Sequence, residues 1–183
     1  MEHSFVEDYI LDTVDFDSLA IVMNGPMRED YGEEIDACNS VIRFNVYQTK
    51  GYEKEVGSKT THWIVNGDHS VIKDQNLPAL CPFPHYKYKS VQIYRFRSKW
   101  EPLIFTQFDY RKSAPENMPY PTTGFTFLMM MLHLDRGPFT VYGFNGLQEG
   151  HYFNAKHTHS SRHSGNREFS HISKKYKKEI IIK

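Results

Sequence analysis

Apolar residues fall in short runs along the chain, most of them closed by a turn residue. "LAIVMNG", Leu19 to Gly25, is a short apolar run that ends in Asn-Gly. It reads as a buried strand feeding a loop. "SVIRFNV" and "THWIVNG" are two further strand candidates, each closed by Asn. "SVQIYRFRS" alternates, as a strand with one solvated face does. "EPLIFTQFDY" fits neither pattern cleanly. "PTTGFTFLMMMLHL" holds an apolar run too long for a typical strand and opens with Pro and threonines that can cap a helix. It predicts a buried helix from about Thr123 to Leu134. "PFTVYGFNG" returns as a strand. "REDYGEEIDACN" predicts a short polar helix over the first strand, and "NREFSHISKKYKKE" a polar, lysine-rich helix near the C-terminus.

Strands alternating with helices imply an α/β fold on a mainly parallel sheet. In such sheets a ligand lies outside the carboxyl ends of the strands. The turns there carry Asn24, Asn45, Asn66 and Asn145. Asparagine offers both a donor and an acceptor, and it also favours turns for its own sake.

Composition narrows the picture. The 183 residues show no repeat and no low-complexity linker, which fits one domain over 1–183. Hydrophobic residues make up 39% and aromatic residues 15%, enough to fold. The 22 basic and 22 acidic residues cancel, which argues against a general nucleic-acid binder. Cys38 and Cys81 are the two cysteines, so a disulfide scaffold is excluded. No apolar run approaches the ~20 residues that span a bilayer. The acidic opening "MEHSFVEDYILDTVDFD" lacks the regions of a signal peptide. The expectation is a cytoplasmic protein. "KKYKKEIIIK" reads as a solvated helix face with an apolar tail, or as a peripheral contact with an anionic membrane.

Four of the ten histidines lie between His151 and Glu168, and His171 follows. Histidine moves protons near neutral pH and ligates metals. His157, His159 and His163 form H-x-H-x3-H, which would supply zinc with three nitrogens and leave an open position for a hydrolase. No C-x-x-C supports it. "DFD", Asp15 to Asp17, is a D-x-D triplet of the kind that holds a divalent ion in nucleotide-sugar enzymes, but it precedes the first strand.

Several segments together resemble the animal-type sialyltransferases of glycosyltransferase family 29. "LAIVMNGPMREDYGEEIDACNSVIRFNVYQTKGYEKEVGSKTTHWIVN" is similar to that family's large sialylmotif. "YPTTGFTFLMMMLHLDRGPFTVYGFNG" is similar to the small one, "HYF" at His151 to the third, and "HSGNRE", His163 to Glu168, to the very small one. The secretory members join the large and small motifs by a disulfide; the matching positions here are Leu19 and Asp135. A compact form without an anchor fits these departures, and the Golgi lumen is its place if the chain has been trimmed.

The resemblance implies a Rossmann-like, GT-A-type fold and transfer of sialic acid from CMP-sialic acid to a glycan hydroxyl with inversion and without a metal. Donor-binding residues would be Asn24, Gly25, Asn45, Thr122, Thr123, Gly124, Tyr142, Gly143, Phe144 and Tyr152. A helix opening at Thr123 presents free N–H groups to an anion. His163 would take the acceptor proton, His151 would face the leaving phosphate, and Glu168 would orient the region or pair with His163. His157, His159 and His171 read as solvated loop histidines. Partners would be a CMP-sugar donor and a glycan on an oligosaccharide, glycolipid or glycoprotein, with no nucleic acid. Rival readings are transfer of another CMP-activated acidic sugar such as Kdo, a non-catalytic CMP- or glycan-binding homologue, and the zinc hydrolase. Between Gly67 and Asn117 no motif appears; Tyr86, Tyr88, Tyr94 and Trp100 would line an acceptor cleft or fill the core.

Overall fold

The apolar runs at residues 19, 40 and 62 form neighbouring strands of one sheet. The computed structural model describes residues 5–66, 79–84, 103–118, 120–157 and 161–183. Its strands are β1 (Leu19–Val22), β2 (Ser40–Phe44), β3 (His62–Ile64), β4 (Ala79–Pro84), β5 (Leu103–Thr106), β6 (Phe139–Tyr142) and β7 (Ile180–Ile182). They form a seven-stranded sheet in the order β5-β4-β3-β2-β1-β6-β7. Every pairing between them is parallel. The helices are α1 (Val6–Thr13), α2 (Gly32–Ala37), α3 (Glu53–Val56), α4 (Thr123–His133) and α5 (Gly165–Lys175). The α/β architecture read from the sequence is the one observed.

Alternation along β1 and β2 sorts side chains onto two covered faces. Leu19, Ile21, Met23, Ile42 and Phe44 share one core with α1, α4 and α5 residues such as Ile10, Phe125, Leu128 and Ile172. Ala20, Val22 and Val41 meet Ile35 of α2 and Val56 of α3 on the other face. Both faces are dry, so the strands read as continuous apolar runs. Arg43 is the exception. Its guanidinium is buried on the α3 side and donates to the carbonyls of Lys59 at 3.0 Å and Val56 at 2.6 Å.

The helix expected over Thr123 to Leu134 spans Thr123–His133. It is buried along most of its length because it packs across the sheet, which explains an apolar run without a polar stripe. The tail of "KKYKKEIIIK" differs from expectation. Ile180–Ile182 is a strand beside β6, so these β-branched residues complete the sheet rather than end a helix. α1 and α3 had no reading in the sequence, and "EPLIFTQFDY" resolves into β5. "SVQIYRFRS" and the aromatics Tyr86, Tyr88, Tyr94 and Trp100 lie outside the described residues.

His62 sits inside this fold at 5% exposure. Its Nδ1 lies 2.7 Å from the Thr61 hydroxyl and its Nε2 2.9 Å from that of Thr13. Burial holds the ring neutral and lowers its pKa to about 4. In the unfolded chain a histidine titrates near ~6.5. Between those values the unfolded state binds the extra proton, so stability is full above the unfolded value and falls as pH drops through the window. The expected loss is roughly 1.4 kcal/mol per pH unit. Urea unfolding midpoints measured across the window should decline with acid, and His62→Gln should remove that part of the slope.

Candidate active site

β1 and β6 are neighbours, but the chain leaves β1 toward β2 on one side and reaches β7 from β6 on the other. A crevice opens at such a switch point, outside the carboxyl ends of the strands. Here the loops after β1 and β6 cross at backbone contact. Gly25 N–H donates to Gly143 O at 3.1 Å. A Cβ on Gly25 would lie 2.3 Å from that same oxygen, and Gly143 has a left-handed φ of 66°. Only glycine fits both strands of this crossing. Beside it lies a cavity of about 450 Å³.

The floor carries two asparagines with opposite polarity. Asn24 spends its Nδ2 on Phe44 O at 3.1 Å and Val46 O at 3.0 Å. Its carbonyl oxygen takes no part in these bonds, and the residue lines the cavity. Asn45, at a left-handed φ of 50°, accepts Asn66 N–H on Oδ1 at 2.9 Å. Its Nδ2 takes no part in that bond. Both residues line the same cavity, and the amide ends not used in these bonds are one acceptor and one donor.

The amino end of α4 forms another wall, with Thr122, Thr123 and Gly124. Thr122 caps the helix by accepting Phe125 N–H at 3.2 Å. The first amides of the helix, on Thr123 and Gly124, have no helical carbonyl to serve. They suit an anion. Thr122 is itself held by Glu168 of α5. Glu168 accepts the Thr122 N–H on Oε1 at 2.8 Å and the Thr122 hydroxyl on Oε2 at 2.6 Å. The carboxylate is 1% exposed. Burial raises its pKa, while the two Thr122 bonds and the charge of His163 pull it the other way.

His151 and His163 line the same cavity, as do Gly25, Gly143 and Phe144. His163 Nδ1 donates to Tyr120 O at 2.8 Å, because a carbonyl can only accept. That bond leaves the lone pair on Nε2. His157, read from the sequence as a solvated loop residue, also lines the cavity. Its ring stacks on His151 with centroids 3.8 Å apart and planes within 17°. Nothing in spacing or periodicity signals that contact. A second, more open cavity of about 730 Å³ adjoins the first and shares His157 and His163 with it. Gln148, Glu149, Asn166 and Arg167 give it a polar lining.

Some expected site residues point elsewhere. The Tyr142 ring is buried on the α2 side and its hydroxyl donates to Glu34 Oε1 at 2.7 Å. Period-2 alternation from Val141 puts it on the face away from α4. Tyr152 does not line the cavity either. Its hydroxyl donates to Gln48 O at 2.6 Å and its N–H donates to Asn24 O at 2.9 Å, so it ties the two asparagine loops together. His171 lies within α5, against Phe125 and Tyr176, and not in a loop. Asp15 caps a short 3₁₀ turn, accepting Asp17 N–H and the Asn39 amide, at the amino end of β1 and away from the cavity. Among the described residues no group of three or more His, Cys, Asp or Glu is placed to hold a metal ion; His159 lies outside them.

The chain matches the family description "Glycosyltransferase family 29 (sialyltransferase)" over residues 13–97. The match takes in the large-motif segment and continues beyond Gly67, where no motif was read. Beta-galactoside alpha-2,6-sialyltransferase 2 of Homo sapiens is 34% identical over 116 residues, 56% of this chain and 21% of that protein. CMP-N-acetylneuraminate-beta-galactosamide-alpha-2,3-sialyltransferase 2 of Mus musculus is 26% identical over 147 residues, 67% of this chain and 41% of that protein. The chain therefore spans less than half the length of these relatives. A crystal structure of a mammalian sialyltransferase in complex with Gal-beta-1-3GalNAc-ortho-nitrophenol superimposes with a TM-score of 0.64 at 21% identity, covering 90% of this chain and 68% of that one. At 90% coverage the shared fold extends past residue 97.

The Glu168–Thr122 contact gives a stability test. Glu168→Ala leaves the N–H and the hydroxyl of half-buried Thr122 without their acceptor, which costs roughly 1–3 kcal/mol. Glu168→Gln keeps one acceptor and should cost less. Urea denaturation followed by circular dichroism should rank wild type above Glu168→Gln above Glu168→Ala.

Proposed function

We propose, on the premise that the chain belongs to glycosyltransferase family 29, that it transfers sialic acid from CMP-sialic acid to a glycan hydroxyl with inversion. One observation carries this reading. The motif residues Asn24, Asn45, Thr123, His151 and His163, far apart in sequence, line one cavity at the switch point of the sheet. A nucleotide with a single phosphate matches its polarity. Asn24 Oδ1 accepts from a ribose hydroxyl or the cytosine amino group. Asn45 Nδ2, the free amides of α4 and the His151 ring donate to the phosphate.

The acceptor hydroxyl attacks the anomeric carbon from the face opposite the phosphate. Its proton goes to His163 Nε2, the nitrogen left open by the Tyr120 carbonyl. The bond from the anomeric carbon to the phosphate oxygen breaks, and CMP leaves with the electron pair, stabilised by donors already in place. Glu168 acts at one remove: with both oxygens on Thr122, it holds the α4 amides where the phosphate needs them. Neutral and cationic donors suffice for one phosphate, so the reaction proceeds without a metal, and "DFD" caps a turn at the far end of β1.

Release of CMP from CMP-sialic acid, compared with CMP-Kdo, tests the donor. Higher kcat/KM with CMP-Kdo would replace sialic acid, and CMP binding without turnover on any glycan would make the chain a binding homologue. Activity should survive EDTA; loss restored by zinc or manganese would revive a metal role. His163→Ala should lower kcat by ~10²–10⁴-fold and leave CMP affinity nearly intact. Asn45→Ala should weaken CMP binding by about 1–3 kcal/mol in calorimetry. His151→Ala should weaken binding and lower kcat together.

A further inference from the structure

His157 has no counterpart among the motif segments, yet it makes the closest ring stack in the site. Its plane lies within 17° of His151 at a centroid distance of 3.8 Å. Phe153 also meets the His151 ring, tilted at 44° and 5.1 Å. The backbone supports the arrangement. His151 N–H donates to Asn154 O at 3.1 Å, Asn154 N–H returns to His151 O at 2.9 Å, and His157 N–H donates to Asn154 O at 3.0 Å. Asn154 O thus receives both histidine amides, and this folds the segment so that the two rings lie face to face. His157 is exposed and also lines the adjoining polar cavity, so it stands where the two cavities meet.

We propose that His157 is a positioning residue, which fixes the His151 ring by stacking so that it meets the phosphate of the bound nucleotide. This rests on the reading of the cavity as a CMP site. The physical reason is the freedom of an imidazole on a loop. A loop imidazole that can change rotamer loses part of its binding contribution to ordering, and a stack on a second ring narrows that freedom. A stacked ring removes that freedom before the ligand arrives. The contact is one of ring planes, so any flat aromatic at residue 157 should serve.

The test uses the whole chain with CMP as the probe. His157→Ala should weaken CMP binding by roughly three- to tenfold in calorimetry. His157→Phe should restore it to within about twofold, because stacking and not charge does the positioning. An alanine variant with unchanged affinity overturns the proposal. So does a phenylalanine variant as weak as alanine, since His157 would then contact the ligand itself. If the wild-type chain fails to bind CMP, the functional reading falls and the stack is still tested. Nuclear Overhauser contacts between the His151 and Phe153 rings should persist in the ligand-free wild type and in His157→Phe, and weaken in His157→Ala. Equal contacts in all of these would show that His157 does not hold the ring.

Discussion

A buried carboxylate grips the amino end of the longest apolar helix. Both oxygens of Glu168 are engaged by Thr122, and Thr122 in turn caps α4. The free amides of a helix are useful to a ligand only if the helix end cannot shift. Here a residue of α5 fixes the end of α4 through its backbone and side chain at once. The same segment carries His163, whose Nδ1 is held by Tyr120 O two residues before Thr122. Anion donors and candidate base are therefore placed by one junction. α5 can approach so closely because Gly165 presses on the loop after β6: a Cβ there would lie 2.1 Å from Gly146 O.

The opposite wall depends on backbone spent elsewhere. Asn24 and Asn45 each commit half of their amide to backbone groups, and this leaves an acceptor on one and a donor on the other. Tyr152 holds the loops of both, and Trp63 Nε1 donates to Asn45 O at 2.8 Å from below. On the far side β7 pairs with β6, and Lys183 O accepts Gly143 N–H at 3.1 Å. Lys183 also bonds Glu34, whose pKa this contact and the Tyr142 hydroxyl lower. The loop that carries Gly143 and Phe144 thus rests on the final strand.

Much of this was legible in the chain. Apolar runs ending in Asn marked β1, β2 and β3, because strands covered on both faces leave no polar alternation and asparagine favours the turns that follow; Asn45 alone of the three takes a left-handed φ. Thr122 and the apolar stretch after it marked α4, because a capping hydroxyl and helix length are local properties. The motif segments marked most of the residues that line the cavity. α1, α3 and β7 were not legible. The first two are short and gain their order from packing on the sheet, and "EIIIK" carries no sign of which neighbour it will pair with.

Local chemistry determined which residues could serve: amides at turn positions, a capped helix start, histidines with a free nitrogen. The tertiary structure decided which way they face. Tyr142 and Tyr152 were candidates by sequence and became supports, because strand parity turned one to the α2 face and the Gln48 loop captured the other. His157 was incidental by sequence and became the partner of His151, because a turn through Asn154 brings the rings together. Residue type is written in the chain one position at a time. Orientation is a property of contacts between distant segments, and it exists only once the sheet has placed them.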